Sequence, residues 1–204
     1  SCDYWTTSMK AALEKKGYQV YPAFTGTLMT ETTLDCAQSL DDGKTWKTQR
    51  IEGLPKTARI VDFFRKPLCL KTGTILGAGF AQWKPNGRAF SYSLRSENNG
   101  KTWQFSPIAD DSTGTRDFDE TDIIELPDGR VLAMMRSYNQ PGRTNAYLHQ
   151  SFSNNSGSSW SKPEPTPIWG YPPHMILLKN GAILCTYAHR RFPYGVRACM
   201  SYDS

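Results

Sequence analysis

Apolar residues in this chain come in short runs, and the runs come in pairs. Residues 60–73 feed the run Thr74–Phe80, residues 119–129 feed Arg130–Arg136, and residues 172–181 feed Ala182–Tyr187. Each pair is joined by a tight turn carrying Thr72-Gly73, Asp128-Gly129 or Asn180-Gly181. Asp-Gly and Asn-Gly favour the left-handed backbone of two-residue hairpins, so each pair reads as two antiparallel strands. A third run follows (Ala89–Arg95, Asn145–Phe152, Gly195–Met200), then a polar turn, then a fourth strand. The paired runs are nearly continuously apolar, as expected of strands covered on both faces.

The polar turn recurs as one motif. Ser39–Trp46, Ser96–Trp103 and Ser153–Trp160 all read Ser-x-[Asp/Asn]-x-Gly-x-[Thr/Ser]-Trp, with the tryptophans 57 residues apart both times. Ser201-Tyr202-Asp203-Ser204 reads as the opening half of a fourth copy. The chemistry is that of a hairpin turn. The Asp or Asn at the third position accepts backbone N–H groups ahead of it, Gly at the fifth takes φ > 0 without a Cβ clash, and the Trp starts the next strand, where it is expected to bury apolar surface. A long fixed period identifies a repeat architecture. Four antiparallel strands per repeat predict propeller blades.

Composition adds limits. The chain has 204 residues, enough for one domain with a real core, and is rich in Gly, Pro and aromatics. Residues 1–32 do not match the repeat; Thr7–Lys16 predicts a short helix closed at Gly17, in a segment that is either an insertion or a damaged first strand. The net charge of +5 is scattered and forms no basic run, so nucleic acid is not an expected partner. The five cysteines have no metal-type spacing, so no metal site or cofactor is expected; Cys69 and Cys185, in apolar runs, are expected to be buried. No apolar run reaches membrane-spanning length.

The three turns are Asp boxes, and over residues 33–204 the chain resembles the sialidase (neuraminidase) superfamily. The resemblance implies an all-β, six-bladed β-propeller, of which this single partial domain supplies about three and a half four-stranded blades. It also implies a retaining, metal-independent hydrolase acting on a terminal acidic sugar of a glycan. Sialidases place a Glu before the inner hairpin of one blade and an Arg at the end of the returning strand. Glu120 and Arg136, sixteen residues apart, occupy those places. By resemblance Glu120 would activate a tyrosine nucleophile, and Arg136 and Arg197 would be two of three arginines that clamp the sugar carboxylate with forked hydrogen bonds. Arg65, in Phe64-Arg65-Lys66-Pro67, echoes the family's Arg-Ile-Pro motif with Lys66 in place of Ile. It lies one blade before Glu120, whereas the family separates the two by about three. The acid/base Asp that should follow is not visible around Trp83–Arg88, and the nucleophilic Tyr would fall beyond Ser204.

Other residues at the same end are candidates on their own chemistry. Asp117 and Asp119 precede Glu120 as further acids. His174 occupies the inner-strand position that matches Asp122, and the two would serve acid/base roles for a different sugar if they share a cleft. Arg190 follows His189 at the end of the next strand, as a further substrate-binding candidate. Trp83, Tyr138, Trp169 and Tyr171 have the rings to stack on sugar faces. Three readings stay open: a sialidase, a sialidase-fold hydrolase or lyase for another sugar, and a non-catalytic propeller that binds glycans or proteins.

Overall fold

The computed structural model describes residues 2–16, 20–24, 27–30, 33–62, 66–83, 87–140, 142 and 144–202. The chain divides into two compact units, Ser1–Leu34 and Asp35–Ser204. The first contains helix α1 (Cys2–Lys15) and an antiparallel hairpin of β1 (Val20–Phe24) and β2 (Thr27–Thr30). The helix starts five residues before the expected Thr7, since no Gly or Pro between Cys2 and Thr6 interrupts it. Lys15 in its last turn suits the negative end of the helix dipole.

The second unit is all-β. Strands β3 (Asp35–Gln38) and β4 (Lys47–Arg50) form a two-stranded ladder. Next come β5 (Ala58–Asp62), β6 (Leu68–Cys69), β7 (Ile75–Trp83), β8 (Ala89–Ser96) and β9 (Gln104–Ala109), in the order β5-β7-β8-β9 with β6 also on β7. A four-stranded sheet follows, of β10 (Arg116–Glu125), β11 (Val131–Asn139), β12 (Tyr147–Ser153) and β13 (Glu164–Trp169). The last sheet holds β14 (Pro173–Leu177), β15 (Ile183–His189) and β16 (Gly195–Ser201). Every ladder is antiparallel, and apart from β5 on β7 each joins strands consecutive in the chain, the meander of a propeller blade. The described residues thus supply two complete blades and two partial ones.

The continuous apolar runs have a direct cause. On β11, Val131, Ala133 and Met135 join a core with Leu76, Ala78 and Phe118 on one side. Leu132 and Met134 alternate to the other side and pack with Met175, Ile183 and Cys185. Both faces of the strand are core, so side chains of period two give no polar face. The run expected at 60–73 divides into β5 and β6; Pro67, just before β6, has no N–H to give a ladder. Cys69 is exposed, contrary to expectation, because Leu70 takes the inward side and Cys69 alternates outward.

The three Asp boxes share one geometry. The Ser hydroxyl accepts the glycine N–H (Gly43 2.8 Å, Gly100 2.9 Å, Gly157 2.8 Å). The third-position oxygen accepts the N–H four residues on, at 2.9 Å each time. Asn98 and Asn155 then donate their amides to Thr102 Oγ1 (2.7 Å) and Ser159 Oγ (2.8 Å), where Asp41 instead accepts from Thr45 Oγ1 (2.6 Å). The residue before each glycine is also left-handed (Asp42 φ 57°, Asn99 55°, Ser156 55°).

These turns also tie one sheet to the sheet before it. Gln49 Nε2 donates to Lys101 O (2.6 Å), and one period later Ser106 Oγ donates to Ser158 O (3.2 Å). Arg95 Nε reaches Ser156 O (3.0 Å) and Trp160 Nε1 reaches Ser93 Oγ (3.1 Å). A Cβ on Gly157 would lie 2.4 Å from Leu76 Cδ1, so the turn sits directly on β7. Trp103 and Trp160 are half-buried. Trp46, expected to bury its ring, is 62% exposed, whereas Trp160 reaches Ser93 on the sheet before its own.

Candidate active site

Register fixes which residues share an end of the blade. Glu125 pairs with Val131 and Val131 with Ser153, so the Asp128-Gly129 hairpin and the Asp box lie together. Arg116 pairs with Asn139 and Tyr147 with Trp169, so the start of β10 and the end of β11 lie at the opposite end. Asp117, Asp119, Glu120, Arg136, Tyr138 and Trp169 all fall at that second end.

The backbone there is irregular in one place. Asp119 pairs with Arg136 and Thr121 with Met135, leaving Glu120 as an extra residue with φ 27°. Such a bulge re-aims a side chain out of strand alternation. Arg136 Nη1 donates to Glu120 Oε2 at 3.0 Å. Its Nε lies 3.5 Å from Asp119 Oδ1, within ion-pair reach, and both of those buried atoms lack a hydrogen bond. Tyr138 donates its hydroxyl to the other Asp119 oxygen at 3.1 Å. The Arg136 guanidinium rests 3.9 Å from the centre of the Tyr171 ring.

Charge and burial work against each other here. Burial pushes the Asp119 carboxyl up to about 7; Arg136 pulls it down, and Glu120 adds to the rise. Burial also works against the charge on Arg136, but Asp119 and Glu120 hold its guanidinium charged, above its ordinary value. Glu120 remains the more accessible carboxylate, with a side chain 20% exposed against 9% for Asp119.

Asp117 has a joining role instead. Its oxygens accept Ala89 N–H (3.1 Å) and the Gln140 amide (2.7 Å), linking β10 to the previous sheet. The loop leading in is held by Asp111, which sequence reasoning missed. It accepts the N–H groups of Thr113, Thr115 and Arg116 and both threonine hydroxyls. Burial opposes its ionisation, yet those bonds hold its carboxyl far below the usual range. The alternation Asp-x-Thr-x-Thr just before a strand was the available signal.

His174 and Asp122 meet, as β14 packs beside β10. His174 Nδ1 lies 3.1 Å from Asp122 Oδ2, which also accepts Met175 N–H at 2.6 Å. The His174 side chain is half exposed and Asp122 is buried. With Lys66, Leu68 and Glu125 they line a pocket of about 570 Å³ between the inner strands of three sheets. Arg190 is exposed, its guanidinium 5.0 Å from the Tyr171 ring centre, so it joins the Arg136 cluster. Arg197 lies exposed on β16 opposite Tyr187 and joins none of the contacts made by Arg136 or Tyr171. Arg65 lies outside the described residues.

The expected stacking rings differ in availability. Tyr138 is 5% exposed, and one face of Trp83 is taken by Phe90 (4.2 Å between centroids). Trp169 carries the Arg191 guanidinium 4.5 Å from its ring centre. Among the described residues no group of three or more His, Cys, Asp or Glu is placed to hold a metal ion, and no helix is long and apolar enough to cross a membrane.

Several solved structures share this fold. A protein of unknown function from Dyadobacter fermentans superposes with a TM-score of 0.69 at 24% identity, over 89% of this chain and 50% of its own. The α-L-arabinanase of Penicillium chrysogenum, complexed with arabinobiose, gives 0.60 at 19% identity, over 85% of this chain and 56% of its own. The K499G mutant of the NanB sialidase of Streptococcus pneumoniae gives 0.54 at 15% identity, over 90% of this chain and 31% of its own. The chain therefore spans about half the length of the first two and less of the third. No curated protein sequence matches it. The BNR repeat-like domain matches residues 18–202, nearly the whole chain. Together with the Asp-box geometry and the propeller sheets, this shows that the chain belongs to the BNR repeat-like domain family, within the sialidase-type propeller superfamily.

Proposed function

We propose that the chain is part of a sialidase-fold glycoside hydrolase that holds the terminal sugar of a glycan at the Glu120 end of its second complete blade. Glu120 is the carboxylate that meets the sugar, Arg136 positions it, and Asp119 lies beneath as the buried partner that sets the charge on the pair. The observation that carries this reading is the bulge. It takes one carboxylate out of the strand and holds it against a buried arginine at the end of the blade opposite the Asp boxes. Such pre-positioning of a charged group is what catalysis of glycoside cleavage asks of a protein. The arabinanase and sialidase among the similar structures support a glycosidase of this fold.

The charges favour an uncharged sugar at this point. One fork nitrogen of Arg136 is committed to Glu120, and Asp119 stands behind it, so little of its charge is left for a substrate carboxylate. His174, with Nδ1 against the buried Asp122 and its half-exposed ring lining the pocket beside β10, is the proton-transfer group of this reading. A second reading, cleavage of a terminal sialic acid, is favoured by the exposed Arg190 beside Tyr171. In it Glu120 activates a tyrosine and Arg136, Arg197 and Arg65 clamp the carboxylate.

The test is hydrolysis of 4-methylumbelliferyl α-L-arabinofuranoside and of the corresponding sialoside by the full-length protein, with Glu120→Gln and Arg136→Ala beside wild type. A fall of about 100-fold or more in kcat/KM for Glu120→Gln, in folded protein, is expected from loss of a positioned acid–base or electrostatic group. Turnover of the sialoside alone moves the assignment to the second reading. Folded wild type that binds glycans and turns over neither substrate removes the hydrolase reading in favour of a binding propeller.

A further inference from the structure

We propose that Arg190 and Arg191 form a subsite for an oxyanion-bearing sugar, a uronate or a sulfated unit, next to the sugar held at Glu120. The position beside a reacting sugar rests on the reading above; the subsite itself does not.

Five contacts build it. The Arg191 guanidinium lies 4.5 Å from the centre of the Trp169 ring, and that of Arg190 lies 5.0 Å from the centre of Tyr171. Arg191 is also fixed at its base: Nε donates to His189 Nε2 at 3.3 Å. That nitrogen accepts because His189 Nδ1 donates to Pro193 O at 3.1 Å, and the buried His189 ring packs edge-to-face on Trp169. With Nε and one face of the guanidinium occupied, the two terminal nitrogens of Arg191 have no hydrogen-bond partner among the described residues and form a forked pair of donors, the geometry that matches a carboxylate or sulfate.

Neither arginine pairs with an acid among the described residues, although the neighbouring Arg136 pairs with two. Two guanidinium groups on adjacent residues would repel in isolation. The rings hold them in place, and an anion between them would relieve that repulsion. The platform itself depends on a close approach. Gly170, between Trp169 and Tyr171, has φ 141°, and a Cβ there would lie 2.6 Å from Ala188 O. This packing brings both rings against the strand that ends at His189, just before Arg190 and Arg191, with Tyr171 N–H bonded to Ala188 O at 3.0 Å. Tyr171 also touches Arg136 at 3.9 Å, so the subsite shares a wall with the Glu120 cluster.

The experiment is titration of the full chain with digalacturonate, galactose 6-sulfate and, as the neutral control, galactobiose. The readout is the indole N–H resonance of Trp169, identified by its loss in Trp169→Phe. Both acidic probes should move it to saturation, with affinity falling as salt is raised, and the neutral probe should not. Arg191→Gln and Arg190→Gln should each weaken the acidic probes by about tenfold or more, the cost of a lost charge-assisted bond, while Arg191→Lys should retain part of the affinity. Both side chains are exposed, so these variants should keep the wild-type amide spectrum. Equal binding of neutral and acidic probes overturns the subsite, as does no binding of any probe or unchanged affinity in both Gln variants. Hydrolysis without this discrimination leaves the hydrolase reading and removes the subsite. Discrimination without hydrolysis does the reverse.

Discussion

Asp119→Asn should make the protein respond differently to pH. In the native protein burial raises the Asp119 carboxyl to about 7, against 3.8 for the free group. Between those values the folded chain keeps a proton that the unfolded chain has lost. Its contribution to stability is therefore complete below about pH 4 and is lost as pH rises to about 7. From pH 5 to pH 8 the lost span is about 2 units at roughly 1.4 kcal/mol each, or about 3 kcal/mol. Asparagine cannot ionise, yet its side-chain oxygen can still accept from Tyr138, so the variant escapes this loss. Urea unfolding of both proteins at pH 5 and pH 8 separates the effect from other titrating groups, which are common to the two. The variant should gain about 3 kcal/mol on wild type between the two pH values. A gap that stays constant would mean that Arg136, 3.5 Å away, outweighs burial and keeps Asp119 ionised throughout. That result would refute the charge assignment for the whole cluster.

Two further outcomes follow from contacts at other places. Gly157→Ala should cost about 2–4 kcal/mol, because a left-handed backbone and a Cβ 2.4 Å from Leu76 act together. Gly129→Ala has a similar φ but nothing within 4 Å, so thermal melts should show a loss of only about 1–2 kcal/mol; equal losses would remove the packing role of the third Asp box. Asp122→Ala takes the acceptor from the buried Met175 N–H and should destabilise by about 1–3 kcal/mol, whereas His174→Ala, half exposed, should cost under about 1 kcal/mol; the reverse order in urea melts would contradict this geometry.

The repeat was legible in the chain because its determinants are local. A Ser, an Asp or Asn and a Gly within five residues satisfy one another's backbone groups, so the turn needs no distant partner to be recognised. The strand pairs were legible from Asp128-Gly129 and Asn180-Gly181 for the same reason. The sequence placed Glu120 and Arg136 at matching ends of two strands, but the register pairs Arg136 with Asp119, and Glu120 reaches the arginine from the bulge. The bulge was not visible, since nothing in Asp119-Glu120-Thr121 distinguishes a residue inserted in a ladder from one paired in it. The rings misled in a different way. Tyr138 and Trp83 are chemically suited to stack on sugars, but burial under Asp119 and packing on Phe90 are decided by strands far away in sequence. Arg191 stood out with His189 and Arg190 at a strand end, but its seat was not legible, because its partners Trp169 and His189 come from the ends of two different strands.

The turns that close each sheet act backwards along the chain, and this sets an order on assembly during synthesis. Ser93 waits for a donor that comes 67 residues later, at Trp160, and Arg95 waits 61 residues for Ser156. At about 5–20 residues per second, each newly made blade stays open on one side for roughly 3 to 13 s. Leu76 is fully covered in the finished protein, and the turn at Gly157 that lies against it is also made only later in the chain. A nascent blade is therefore most vulnerable to a chaperone, a protease or a wrong neighbour while the next turn is still on the ribosome.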